Sequence, residues 1–536
     1  MKHIKEFIFL LLLGLSFTVN AQNVNLRKDF LHPPQESRPL IWWHWMNGNI
    51  SREGIYKDLM WMHRIGIAGF HVFDAGLEIP QIVPHRIIYM TPEWKECFRY
   101  SIYLADSLNM SVGIASAPGW SNTGGPWVKA KDAMKKISWR TMRIKGNRIF
   151  DGKLPEPWRT TGLFQNSKTA DIPDSVCYGN IATLAVRLSP DDISMEELNP
   201  KIISSSGVLD LNALSDEDVE EKQIVRADKS GKIWVLFDFH QPQTLKALSI
   251  ADGRCRDTWN YVYIPILYHL ESSADGVTFR KVCDIPQSGA MEQTIDIPAT
   301  RARYFRVVCD QPESDKEGKL IRLSELIFYT TNKINFAEEK AGFTSYGDLA
   351  NHPTPSVIEN VFSDEVINLT TKVNSNGYLH WKVPQGNWEI YRFGWSLTGK
   401  QNHPASPEAT GLEVDKMDSE AVKDYMEYYL NLYKNASGGM LGKCGIHYLL
   451  IDSYEAGRQT WTPLMAQEFE KRRGYSLYKW LPVLAGQIIG SSAASEKFLF
   501  DYRKTIGELI EENLYGQVAK MARRRDLQTY FESNEW

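Results

Sequence analysis

Ile446-His447-Tyr448-Leu449-Leu450-Ile451-Asp452-Ser453-Tyr454-Glu455 is the stretch whose reading decides the fold. Its first six residues, mostly apolar, read as a strand buried on both faces, as in a parallel α/β sheet. The run stops abruptly at Asp452, with Glu455 three residues further on. Acids are costly to bury unless they are paired or employed, and in a (β/α)₈ barrel the catalytic groups stand where strands end. Ala456-Gly457 then reads as a loop, and Thr462-Pro463 opens a helix with Pro463 in its first turn. The plain alternative is that Asp452 caps the loop and Glu455 is solvated.

The same alternation of strand and helix runs through the N-terminal part. Leu40 to Trp45 reads as a first strand. Ser51 is a helix cap for Arg52 to Arg64, with Ile55, Leu59, Met62 and Ile65 at helical spacing and Gly66 as the stop. Ile67 to Phe73 is a second strand closing in Asp74-Ala75-Gly76, Pro92 starts a helix to about Leu108, and Ser111 to Ser116 is a third strand. Short strands separated by helices imply βα units and a parallel sheet. From Ala133 to Pro384 turns such as Ala274-Asp275-Gly276 crowd together, which is all-β material inserted into the α/β part. Trp388 to Trp395 is a further strand, and Ser419 to about Tyr433, Pro463 to Arg472 and Glu496 to Arg524 are helices. Leu527 to Glu532 is the last strand. The expected fold is thus an α/β, (β/α)₈-type barrel, incomplete at six strands. The expected division is 22–132 for the first part of the barrel, 133–384 for the insertion and 385–536 for the second part.

Within the insertion, Trp234 to Phe239, Tyr268 to Phe279, Tyr304 to Val308 and Leu323 to Tyr329 follow in an order that resembles a galactose-binding-like β-sandwich, at about 225–332. The residues that carry this likeness are framework, so it implies a fold rather than a working sugar site.

Composition narrows the function. With 61 basic and 65 acidic residues the net charge is −4, and the absence of a basic excess argues against nucleic acid as a partner. Lys2, His3 and Lys5 precede an apolar run from Phe7 to Phe17, and Val19-Asn20-Ala21 offers a cleavage site; residues 1–21 read as a secretory signal, implying a periplasmic or secreted protein without stable membrane insertion. The six cysteines are scattered and show no zinc spacing; they are expected to be mostly free, buried thiols, although Cys283 and Cys309 would approach if their strands pair. Neither GxGxxG, GxxxxGK[ST] nor GxSxG occurs, which disfavours nucleotide and serine-hydrolase chemistry.

Three constellations could carry chemistry. Glu455 and Glu532 end two candidate strands and could flank a glycosidic bond as acid and base, with Glu535 competing for the second role. Asp452 and Glu455, joined by Glu413 and Asp415, could hold a hard cation such as calcium, or simply form a solvated acidic loop. Trp43, His44, Asp74, Trp120, Asn122 and Trp127 follow the first three strands; aromatic faces with short polar groups make a carbohydrate pocket, or else close the rim as core.

Taken in order, "WWHWMNGNIS", "GIAGFHVFDAG", "GIASAPGWSNTGGPWV", "WKVPQGNWEIYRFGWSLTG", "ATGLEVDKMD" and "HYLLIDSYEAG" resemble glycoside hydrolase family 106, the bacterial α-L-rhamnosidases, from about Pro39 to the end. The resemblance implies release of terminal α-L-rhamnose from an oligosaccharide or polysaccharide, with inversion, two glutamates and a calcium ion whose ligands it leaves open. By position Glu455 looks like the proton donor and Glu532 like the base. Family members are longer, so the chain is expected to be a fragment whose sheet stays open. A non-catalytic carbohydrate-binding protein, or a barrel glycosidase for another sugar, remains the alternative. Binding without turnover would favour the first, and turnover of a different glycoside the second.

Overall fold

The computed structural model describes residues 26–159, 177–219, 221–252, 266–286, 290–344, 352–356 and 365–532. Residues 1–21, expected to be a signal, and Glu535 lie outside these.

Five parallel strands form one sheet in the order β1 (Leu40–Met46), β2 (Gly69–Ala75), β3 (Ser111–Ala115), β4 (Ile446–Ile451) and β5 (Gln528–Phe531). All four pairings are parallel, and among the described residues the sheet is not closed. Helices α1 (Arg52–Arg64), α2 (Pro92–Ser107) and α3 (Ser419–Ala436) cover one face. Ser51 caps α1 as its sequence position predicts, its hydroxyl accepting from Gly54 N at 3.0 Å. Alternation along each strand sends Trp43, Trp45, Phe70, Val72, Val112, Ile114, Leu449 and Ile451 into the core under the helices. The other face carries His44, His71, Phe73, Ala115, Tyr448, Leu450 and Tyr530, of which Phe73, Ala115 and Leu450 make a small apolar floor.

Between β3 and β4 the chain leaves this sheet for the β-rich insertion. Strands Val366–Asn368, Tyr178–Leu188, Asn387–Leu397 and Lys135–Lys145 form an antiparallel sheet. This corrects the sixth-strand expectation: Trp388 to Trp395 pairs along its whole length with Lys135–Lys145, so five strands rather than six share the parallel sheet, and the return to it comes after Leu397 rather than at 385. A seven-stranded antiparallel sheet built around Ile233–Ala251 and Gln293–Cys309 lies against a three-stranded one containing Gly318–Leu323. Val225, Phe237, Phe305, Ile321 and Phe328 fill the core they share. Cys283 and Cys309 sit on strands that both pair with Ile266–Ser273 and not with each other, so they do not meet; Cys97, Cys283 and Cys444 are free thiols. Burial and the neighbouring Asp284 push Cys283 up to about 11.

Near the end, the expected single helix from Glu496 to Arg524 is three pieces: α4 (Ser492–Ile510), a π-helical segment Glu511–Gly516, and α5 (Gln517–Arg523).

Candidate active site

The parallel sheet brings three carboxyl groups to its C-terminal edge. Ile451 and Phe531 are register partners, and Glu532 N donates to Ile451 O at 2.9 Å, so Asp452 and Glu532 leave neighbouring strands at one level. Asp452 is 2% exposed; its Oδ1 accepts from Ser453 N at 2.9 Å, while its buried Oδ2 receives no hydrogen bond from a donor among the described residues. It lies instead within hydrogen-bonding reach of the Glu532 carboxyl. Two adjoining carboxyls cannot both ionise cheaply. Burial first, then Glu532 and Glu455, push Asp452 up to about 8, so this pair retains a proton at neutral pH. Glu455, half-buried, accepts from Ser453 Oγ at 3.1 Å.

Below the acids the open face is aromatic. His71 is 4% exposed, with its ring 5.4 Å from Tyr530 and 6.0 Å from Tyr448, and neither ring nitrogen has a partner among the described residues. Burial lowers His71 to about 4, which keeps the ring neutral. Gly113 makes room for it, since a Cβ there would stand 2.3 Å from His71 Cδ2. His44 stacks on Phe73 at 5.2 Å and meets the edge of the part-exposed Trp120 at 5.9 Å. Asn122 is buried at the rim beside the Tyr515 hydroxyl, and neither of its amide atoms makes a hydrogen bond of normal geometry. Buried polar atoms without partners are uncommon, and sugar hydroxyls are the kind of group that completes them.

Three residues expected at the sugar pocket lie elsewhere. Trp43 is 8% exposed and packs into the helix-covered core, 5.0 Å from Phe70, with Nε1 donating to Asp58 at 3.1 Å. Asp74 is still inside β2, not in a loop beyond it, so alternation turns its carboxyl toward α2, where Trp94 Nε1 donates to it at 3.0 Å. Burial raises it to about 7. Trp127 leans on Tyr428 and Tyr429 of α3, at 5.5 and 5.9 Å. His44, Trp120, Asn122 and Asp452 therefore remain on the open face or its rim. His71, Tyr448 and Tyr530 join them; the signal for these was the two-residue period that links His44 to the face opposite Trp43 and Trp45.

The cation site expected from Glu413 and Asp415 does not form. Glu413 is fully engaged with Lys416 Nζ at 2.7 Å and Thr123 Oγ1, and Asp415 with Lys135 Nζ at 3.1 Å, Thr462 Oγ1 at 3.0 Å and Gln459. All four charged groups are at most 1% exposed. They pin the loop that bridges Ala133 to Val414, next to α3. Among the described residues no group of three or more His, Cys, Asp or Glu is arranged to hold a metal.

Carboxyl groups gathered at the C-terminal edge of a parallel sheet, over an aromatic floor with unsatisfied polar atoms, are the equipment of a glycoside hydrolase. Comparison with known proteins is specific: residues 31–536 match the model of glycoside hydrolase family 106, described as alpha-L-rhamnosidase, and the chain belongs to that family. A solved rhamnosidase from Novosphingobium sp. PP1Y superposes with a TM-score of 0.82 at 39% identity, over 95% of this chain and 47% of that one. A Formosa agariphila protein whose provisional name is beta-glucuronidase is 28% identical over 518 residues, covering 96% of this chain and 31% of the relative. The chain thus spans about half of one relative and a third of the other.

Proposed function

We propose that this chain supplies the acid-bearing face of an α-L-rhamnosidase that releases terminal α-L-rhamnose from a glycan with inversion. The observation that carries the reading is the gathering of Asp452, Glu455 and Glu532 just beyond the C-terminal ends of two adjacent strands in a chain of this family. Glu455 donates a proton to the leaving oxygen, and Glu532, beside Asp452, takes one from the attacking water. The elevated Asp452 favours a second reading, in which Asp452 itself is the donor. Calcium is given no step, because Glu413 and Asp415 are taken by lysines.

We also read the parallel sheet as part of a (β/α)₈-type barrel and the paired antiparallel sheets as a galactose-binding-like sandwich. The sequential order β1-β2-β3 with helices on one face supports the first, and the shared core of Phe237, Phe305 and Phe328 supports the second. Export is inferred from the leader pattern. Among the described residues no helix is long and apolar enough to cross a membrane.

The test is hydrolysis of an aryl α-L-rhamnoside, against the matching β-D-glucuronide, by the wild type and by Glu455→Gln, Asp452→Asn and Glu532→Gln, with the first-formed anomer followed by NMR and a chelator arm. Turnover retained in Glu455→Gln, with an alkaline limb near pH 8 that Asp452→Asn removes, would move the donor to Asp452. Retained rhamnoside turnover in all three would end the reading, and turnover of the glucuronide alone would change the sugar.

A further inference from the structure

We infer that the cleft between the four-stranded and seven-stranded antiparallel sheets is a second carbohydrate site, which holds a neutral sugar residue between Lys333 and Glu292. The cleft measures about 510 Å³, within the range of small-molecule sites. Trp139, Arg143 and Tyr391 reach it from the four-stranded sheet, and Ser249 and Thr294 from the seven-stranded one. Glu292 and Lys333 come from the ends of strands on the second side, and Gln487 from the segment ahead of α4. Ile193 and Asn212, both exposed, stand at its mouth. None of Asp452, Glu455 and Glu532 lines it, so this site stands or falls apart from the glycosidase reading.

Two buried polar groups in the cleft lack what they need. Lys333 is 4% exposed, and among the described residues its ammonium makes neither a hydrogen bond nor an ion pair; it lies over the Tyr329 ring, 4.7 Å from the centroid. Burial lowers its pKa, although Asp192 and Glu389 act against this from a distance. Glu292 is 8% exposed, and the hydroxyl within its reach is that of Ser249. A hydroxyl has one proton to give. Thr294 Oγ1 donates its own to Glu338 at 2.7 Å, so Ser249, 2.7 Å from Thr294 Oγ1, donates to Thr294, and the Tyr329 hydroxyl donates to Ser249 at 3.0 Å. Nothing is left for Glu292. The other charges of the cleft are satisfied: Arg143 by Asp192 at 2.7 Å and Glu389 at 3.2 Å, and Glu217 by Arg140 at 2.9 Å and Thr141 at 2.6 Å. An anion would suit Lys333 but meet Glu292 and Glu338, and a cation would suit the acids but meet Lys333. A sugar hydroxyl both accepts and donates, so neighbouring hydroxyls on one ring complete both groups and bring in no charge. Trp139, Met195 and Phe328 line the same space and supply apolar surface for the C–H faces of the ring.

The test is calorimetric titration of this chain with the methyl glycosides of D-glucose, D-galactose and L-rhamnose, and with methyl D-glucuronide and methyl D-glucosaminide as the anionic and cationic arms. At least one neutral glycoside should bind, more tightly than either charged one. Lys333→Met removes hydrogen bonds from a charged donor and should weaken that binding by roughly tenfold or more. Ile193→Trp fills the mouth from a position that is 37% exposed, leaves the interior as it is, and should weaken binding likewise. Should Lys333→Met fail to fold, Ile193→Trp decides. Neither change touches the acids at the edge of the parallel sheet, so rhamnoside held there is recognised by its indifference to both. Absence of neutral binding, or neutral binding that Ile193→Trp leaves unchanged, overturns the proposal, as does tighter binding of the glucuronide or the glucosaminide. Loss of aryl rhamnoside turnover with the cleft still binding would sink the glycosidase reading alone.

Discussion

Replacing Asp452 by Asn has a pH signature rather than one fixed energetic cost. An unperturbed Asp titrates near 3.8, and burial beside Glu532 and Glu455 carries Asp452 up to about 8. Between those values the folded protein holds a proton that the unfolded chain releases. The native state is therefore favoured by this group below roughly pH 4, and the contribution is lost as pH rises toward about 8. Each pH unit across the interval is worth about 1.4 kcal/mol, which bounds the effect at about 6 kcal/mol. Sharing of the proton with Glu532 and relaxation of a group at the sheet edge reduce the expectation to about 2–3 kcal/mol. Asn keeps an acceptor for Ser453 N and adds a donor facing Glu532, so it should match the wild type near pH 5 and exceed its stability by that amount near pH 8. Guanidinium unfolding followed by tryptophan fluorescence at the two pH values measures the difference. Asp74 and Asp296, raised to about 7 and about 6, titrate in the same range but are common to both proteins and cancel. A gap between variant and wild type that is the same at both pH values would refute the argument.

Other consequences are equally direct. Lys416→Met strands the 1%-exposed Glu413 carboxyl and should cost about 3–5 kcal/mol in denaturant unfolding, much of it recovered by adding Glu413→Gln. Gly113→Ala forces a methyl group to within 2.3 Å of the His71 ring and should cost about 1–3 kcal/mol, read as a lowered melting temperature that His71→Ala relieves. Glu455→Gln should lower aryl rhamnoside turnover by about 10²–10⁴-fold while calorimetry shows rhamnose still bound; an unchanged rate would remove it from the mechanism.

The local rules carried the α/β part well because its elements announce their own ends. Ser51 before α1, Pro92 at the start of α2 and the apolar run of β4 are each visible within a few residues, and α1 occupies Arg52–Arg64 as read. Asn387–Leu397 misled because an apolar strand looks alike in either kind of sheet; its partner, Lys135–Lys145, lies some 250 residues away. The site was legible where acids end strands and illegible where a face had to be chosen. "WWHW" does not say which tryptophan points at the helices, and extending β2 to Ala75 turned Asp74 away from the pocket. Glu413 and Asp415 looked like ligands because Lys135, which neutralises Asp415, is 280 positions upstream.

The insertion has a consequence for how the protein is made. Adjacent strands β3 and β4 are separated by about 330 residues, so at ribosomal rates of roughly 5–20 residues per second β3 waits on the order of 15–65 seconds for its neighbour. Throughout that interval Val112 and Ile114 sit on an unpaired parallel edge, a template for pairing with another nascent chain. Closing so long a loop is slow unless the intervening β sheets have already condensed and drawn its ends together. The antiparallel sheet at Lys135–Lys145 and Asn387–Leu397 does this, since its two strands begin shortly after β3 and end shortly before α3. The insertion would then act as a folding clamp, and a lesion in its pairing would be felt first as aggregation of the α/β half during synthesis.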